Sequence, residues 1–328
     1  MIFDSAIKKF YYKKNILITG GSGMIGLNLV KALVKFESKI TICSIDKLSN
    51  FKKFLPAEVK FIRSDLRIKK NCDKVLKKKD LVFHLMAVKS NTHKKFKNVS
   101  STMVSLLLCN TNILQSAFDN KIKNFMFVGS IGQYPPFSVR KEERVWYGLP
   151  TANDKYMGIS KRTGEILAEA FMVEHGWKAV KILRLSNVYG YHDKFHSTDS
   201  HVIPSLIKRV SDGEYPLNVA GNGTAIRDFI HVEDVVRAMI IGLCKAPSCY
   251  PINIGSGNGV SIKKIASIIL KGFGKKVNIK WKTNRPTGDH KRILSTERAK
   301  KILSFKTNIT IEDGILRTIE WYQKNIKK

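Results

Sequence analysis

Gly20, Gly23 and Gly26 carry the most specific chemistry in this sequence. They follow a short apolar run, Asn15–Thr19, and open a stretch (24–35) with helical apolar spacing. The first glycine permits a tight turn, the second lets backbone reach a pyrophosphate, and the third allows helix to pack closely on strand. Met24 and Ile25 then begin a helix, whose first turn offers unpaired N–H groups to an anion. Asp46 stands about 20 residues past Gly26, where a carboxylate accepts from both hydroxyls of an adenosine ribose. Such a carboxylate repels a 2′-phosphate, and no arginine lies in the glycine loop. The spacing predicts a dinucleotide site for NAD rather than NADP, with Lys47 beside Asp46 at its edge.

A site of this kind needs strands to hold it. Further strands are predicted at 39–45, 59–63, 81–85, 124–128 and 180–185, with helical patterns between most of them. Strand alternating with helix reads as an α/β chain with a Rossmann-type doubly wound parallel sheet and right-handed crossovers. Asp65 and Leu66, after the third strand, then suit an adenine contact, and Leu85 and Ala87, after the fourth, a wall against the cofactor. Lys89 is placed within reach of the pyrophosphate. From about Gly190 the alternation gives way to shorter, proline-punctuated elements. This divides the chain into an NAD-binding domain (1–186) and a smaller C-terminal α/β substrate lobe (187–328), with some chain exchange between them.

Composition narrows the function classes. The 328 residues are 43% hydrophobic, enough for a large core. No apolar run reaches the roughly 18 residues a membrane span needs, and residues 1–14 do not read as a signal peptide. The five cysteines form no CxxC pair and no metal spacing, so reduced thiols in the cytoplasm and no metal site are expected. The net charge of +32 raises the question of nucleic acid. The lysines are scattered, not interleaved with aromatic residues, so no nucleic-acid partner is expected. The positive field instead favours an anionic pyrophosphate substrate.

Taken together, these residues resemble the extended short-chain dehydrogenase/reductases that act on nucleotide sugars. The likeness runs from Asn15 to Trp321 and continues in Arg227–Asp234 and Ile252–Gly257. Residues 186–196, with 200–204 and 285–292, resemble the GDP-fucose synthase branch in particular. The resemblance implies a GDP-sugar substrate of mannose-like origin. By position it implies that Asn187 and Val202 line the sugar-nucleotide pocket, that Arg209 and Arg227 face the diphosphate, and that Arg285 lies near the nucleotide. It gives Ser130 a hydrogen bond to the reacting hydroxyl, Lys161 the nicotinamide ribose, and His201 a place beside the sugar. Apolar stripes at 101–120 and 154–174 match the helices through which family members pair, which implies a homodimer, with a tetramer as the larger alternative.

Two departures from the family pattern restrict the reaction. The family places a tyrosine four residues before the lysine, where its phenol exchanges a proton with the sugar hydroxyl. Here that position is Met157, a thioether without acid–base use. Tyr156 is one residue early and points about 100° away around the helix. The synthases place a cysteine, and the 4,6-dehydratases an acidic pair, at the positions of Ile131 and Gly132, and this chain has neither. Epimerisation and dehydration are therefore expected to be lost. What remains is NAD-dependent hydride transfer at C4, read first as oxidation of a GDP-sugar (mannose or manno-heptose type) to the 4-keto sugar. The heptose reading comes from a likeness to the GDP-heptose 4-dehydrogenases of capsular polysaccharide pathways. Reduction of a GDP-4-keto sugar and a binding-only pseudoenzyme are the alternatives.

Overall fold

A computed structural model describes residues 2–87, 98–196, 200–276, 278–283 and 289–327. Its centre is a seven-stranded sheet ordered 252–254, 180–185, 124–130, 81–84, 15–19, 39–44, 60–63, in which every pairing is parallel. Ile16, Leu17 and Ile18 are completely buried, as are Val82 and Phe83, because helices cover both faces. Strand order reverses direction between Asn15–Thr19 and Leu81–His84, and the ends of these strands form the crevice where ligands of such sheets bind.

Most elements fall within a residue or two of the sequence reading. Two do not. A helix at Ser5–Tyr11, capped by the Asp4 carboxylate accepting from Ile7 N–H at 2.8 Å, precedes the first strand. The strand Ile252–Ile254 joins the large sheet beside Val180–Leu185, far beyond the point where alternation seemed to end. Chain crosses the 186/187 boundary both ways. Helix Val232–Lys245 packs in the core of the large sheet, while Val139–Arg140 pairs with Lys291–Leu294 in a second, five-stranded sheet. That sheet and helices Val202–Ser211, Ile262–Gly272 and Ile311–Asn325 build the smaller lobe around its own core.

Candidate active site

The glycine loop is shaped as a cradle. Gly20 has φ 68°, and a Cβ there would lie 3.1–3.2 Å from the backbone of Leu85 and Met86. The loop after the first strand thus lies directly against the loop after the fourth. A Cβ on Gly26 would come within 2.5 Å of Gly21, so the third glycine is required by the loop's own turn rather than by a strand. Gly23 N-caps helix Met24–Leu33 without a side chain, leaving the first amides, including those of Met24 and Ile25, open. Asp46 follows strand Lys39–Ser44 and is exposed. Its Oδ2 accepts from Ser22 Oγ at 2.6 Å, and its N–H donates to Ser44 Oγ at 3.1 Å. Ser22 was not singled out by the sequence, yet it ties the Asp46 carboxylate to the glycine loop. A diphosphate over the helix end and a ribose at Asp46 fit this arrangement.

Other expected cofactor contacts are less direct. Lys47 is exposed at the rim. The Asp65 carboxylate is gripped by Arg67, with Nη2–Oδ2 at 2.6 Å, which holds it below the usual carboxylate range. The Leu66 side chain is 2% exposed, in the core with Cys72, so the adenine contact expected of it is not available through that side chain. Leu85 is half-buried and Ala87 exposed at the mouth of the crevice. Lys89 and Arg285 lie outside the described residues.

The reacting end lies where strand Asn124–Ser130 meets helix Lys155–His175. Ser130 ends the strand and caps a short turn: its Oγ accepts from Gly132 N–H at 3.2 Å, and its own N–H donates to Gln133 Oε1 at 2.6 Å. That reciprocal cap is a Ser-x-x-Gln signature readable in the sequence but not used above. Gln133 Nε2 donates to Glu165, which Arg184 grips at both oxygens. Ser130 is thereby fixed from beneath by a buried polar network. Lys161 is 7% exposed, and its Nζ donates to Met86 O at 2.9 Å, beside the cofactor crevice. Burial pushes its pKa down to about 8. Met157 is half-buried one turn before it, and Tyr156 is 39% exposed and turned outward.

A second chain of polar groups holds that helix. Thr19 Oγ1 lies 2.7 Å from His84 Nδ1, His84 Nε2 lies 3.0 Å from Asn110 Oδ1, and Asn110 Nδ2 donates to the Ser160 carbonyl at 3.2 Å. His84 is fully buried, and burial and the Lys161 charge lower its pKa to about 3, so it is neutral. This chain links both crevice strands to the residue before Lys161.

Gly132 leaves space that a carboxylate uses. A Cβ there would lie 3.2 Å from Asp154 Cγ. Asp154 is paired with Arg292 at 2.9 Å, and Asp289 with the fully buried Arg140. Burial and the Arg292 charge lower Arg140 to about 10. Arg227 feels the same charges. These partners are too far apart in sequence for spacing to reveal them.

A cavity of about 430 Å³ in the smaller lobe brings together Asn187, His201, Val202, Arg209 and Arg227, five of the residues assigned to the sugar nucleotide. His201 is exposed at the start of helix Val202–Ser211. Arg209 reaches the wall, but its fork is held bidentately by Glu214 at 2.6 Å, which corrects the expectation of a guanidinium open to the diphosphate. Arg227, on strand Ile226–His231, lines the same cavity. Among the described residues no cluster of three metal ligands occurs.

A doubly wound sheet with this loop, an acidic residue ending its second strand and a second lobe over the crevice defines a dinucleotide-dependent enzyme of the extended short-chain type. Residues 16–255 match the NAD dependent epimerase/dehydratase family, and the chain belongs to it. A GDP-L-fucose synthase of Sinorhizobium fredii is 25% identical over 321 residues, covering 95% of this chain and 96% of its own length. A dTDP-4-dehydro-6-deoxy-D-allose reductase of Streptomyces is 26% identical over 319 residues, covering 94% and 96%. The UDP-glucose 4-epimerase of Thermus thermophilus in complex with NAD superposes with a TM-score of 0.82 over 95% of this chain and 100% of its own, at 21% identity.

Proposed function

We propose that the protein transfers hydride between NAD(H) and C4 of a GDP-sugar, without epimerisation or dehydration, and that it runs as a reductase of the 4-keto sugar. The observation that carries this reading is the survival of Ser130 and Lys161 around the crevice while Gly132 offers no acid or base of its own. The near-full-length relatives named as a fucose synthase and a 4-dehydro-sugar reductase favour the reducing direction over the oxidation first read from the sequence. Asp46, whose carboxylate disfavours NADPH, is the specific observation on the side of oxidation, because reductases of the resembled branch tend to use NADPH. Residues 1–186 would hold the cofactor and 187–328 the nucleotide sugar, in a cytoplasmic homodimer built on the paired helices. The heptose type of sugar and a place in capsular polysaccharide synthesis belong to this reading as well.

When bound, the cofactor supplies the hydride. The chain's own residues do the rest. Ser130 Oγ donates to the sugar oxygen, and Lys161 holds the nicotinamide ribose and, with a pKa of about 8, gives a proton at neutral pH. Arg227 receives the diphosphate. Purified protein mixed with NADH and a GDP-4-keto-6-deoxy sugar should lose nicotinamide absorbance, faster than with NADPH. Absorbance gained with NAD and GDP-mannose, and none lost in the first mixture, would reverse the direction. No change in either mixture, with NAD still bound, would favour the pseudoenzyme.

A further inference from the structure

At the end of the sheet opposite the cofactor crevice, five lysines line one cavity. Lys9 lies on helix Ser5–Tyr11, Lys14 precedes strand Asn15–Thr19, Lys79 precedes Leu81–His84, and Lys121 and Lys123 precede Asn124–Ser130. The cavity measures about 680 Å³, within the roughly 300–1,000 Å³ of small-molecule pockets. Phe10, Leu81 and Cys244 contribute its apolar wall. One carboxylate, Asp80, stands among the lysines, and Asn15 N–H occupies it at 2.7 Å. Among the described residues the ammonium groups of Lys9, Lys14, Lys121 and Lys123 have no ion-pair or hydrogen-bond partner. Lys79 is turned inward, donating to Thr41 Oγ1 at 2.6 Å, and burial and the Lys60 charge lower its pKa.

Solvated lysines normally splay apart, since like charges repel. The carbonyl ends of helices Val99–Asp119 and Val232–Lys245 reach this end and favour cations nearby. That accounts for lysines standing here, and four unpaired ammonium groups around a hollow with an apolar wall raise the positive potential there. We propose that this cavity binds a compact polyphosphate, the triphosphate chain of a small nucleotide being the natural size. The site is separate from the reaction and independent of its direction.

Inorganic tripolyphosphate is the probe, titrated calorimetrically into the full chain with saturating NAD present. One equivalent should bind, and sulfate at equal ionic strength should bind about tenfold more weakly. The exposed triple variant Lys9→Gln/Lys121→Gln/Lys123→Gln should lose about tenfold in affinity, three weak ion pairs summing to roughly that factor. Cys244 gives a second readout that needs no variant. Its maleimide labelling, mapped by mass spectrometry, should slow several-fold when tripolyphosphate is bound. Unchanged Cys244 labelling in the wild type overturns the proposal. So does equal affinity in a folded triple variant, or heat that follows ionic strength regardless of the anion. Retention of RNA without tripolyphosphate binding would likewise overturn it.

Discussion

In the proposed reaction Lys161 supplies the proton. Its folded pKa of about 8 lies below that of a free lysine, because burial penalises the ammonium. The charged form therefore predominates below about pH 8 and is lost above it, so a step that needs the ammonium slows as pH rises through 8. A pH–rate profile of the wild type should fall there, and Lys161→Arg, always charged but unable to release its proton, should lose turnover at every pH while still binding NAD. A profile flat to about pH 9 would remove Lys161 from the proton path. Met157→Tyr would restore a phenol one turn from Lys161, and kcat should rise by about 10²-fold. At this scale the sequence was legible where chemistry is local. The three glycines, Asp46 and the Met157–Lys161 spacing all lie within one or two elements. Asp154, Arg292, His84 and Asn110 were not legible, since their partners are brought together only by the finished fold.

At the scale of elements, the helix bearing Lys161 is set by the relay from Thr19 through His84 and Asn110 to Ser160. Asn110→Ala leaves a buried imidazole nitrogen and a buried carbonyl unpaired. It should cost about 1–3 kcal/mol in denaturant unfolding and lower kcat more than it weakens NAD binding. His84 also makes the fold sensitive to acid. Its folded pKa of about 3 lies below the free value, so the unfolded chain binds more protons between those two values. Stability falls as pH drops from about 6.5 towards 3. His192 and His231, both lowered to about 4 by burial, act in the same direction. Melting temperatures across that window should decline in the wild type and decline less in His84→Gln. The strands of the first half could be read because apolar runs alternate there with helical periods. Ile252–Ile254 escaped because three residues after a proline carry no period, and only pairing with Val180–Leu185 makes them a strand. Ser5–Tyr11 escaped because Asp4 was not read as its cap.

At the scale of the whole molecule, the two packed helices leave apolar side chains exposed. Val104 and Leu108 on Val99–Asp119, and Ile166 and Val173 on Lys155–His175, are between 43% and 78% exposed. A second copy covering this face would bury them, as a homodimer does. Light scattering should report a dimer for the wild type and a monomer for Leu108→Glu/Ile166→Glu. The same mass at micromolar concentration in both would rule this face out. The charge of +32 acts over a longer range. Association of a GDP-sugar should slow as salt shortens the screening length, while dissociation changes little.

Following one deuterium atom tests the reaction itself. The protein would be given a GDP-4-keto sugar and NADH deuterated at the nicotinamide C4, and the product examined by NMR. One deuterium at sugar C4, with C3 and C5 configurations unchanged and no solvent hydrogen entering them, is the predicted result. Inversion or solvent exchange at C3 or C5 would contradict it, as would a new C4 hydrogen that did not come from the cofactor.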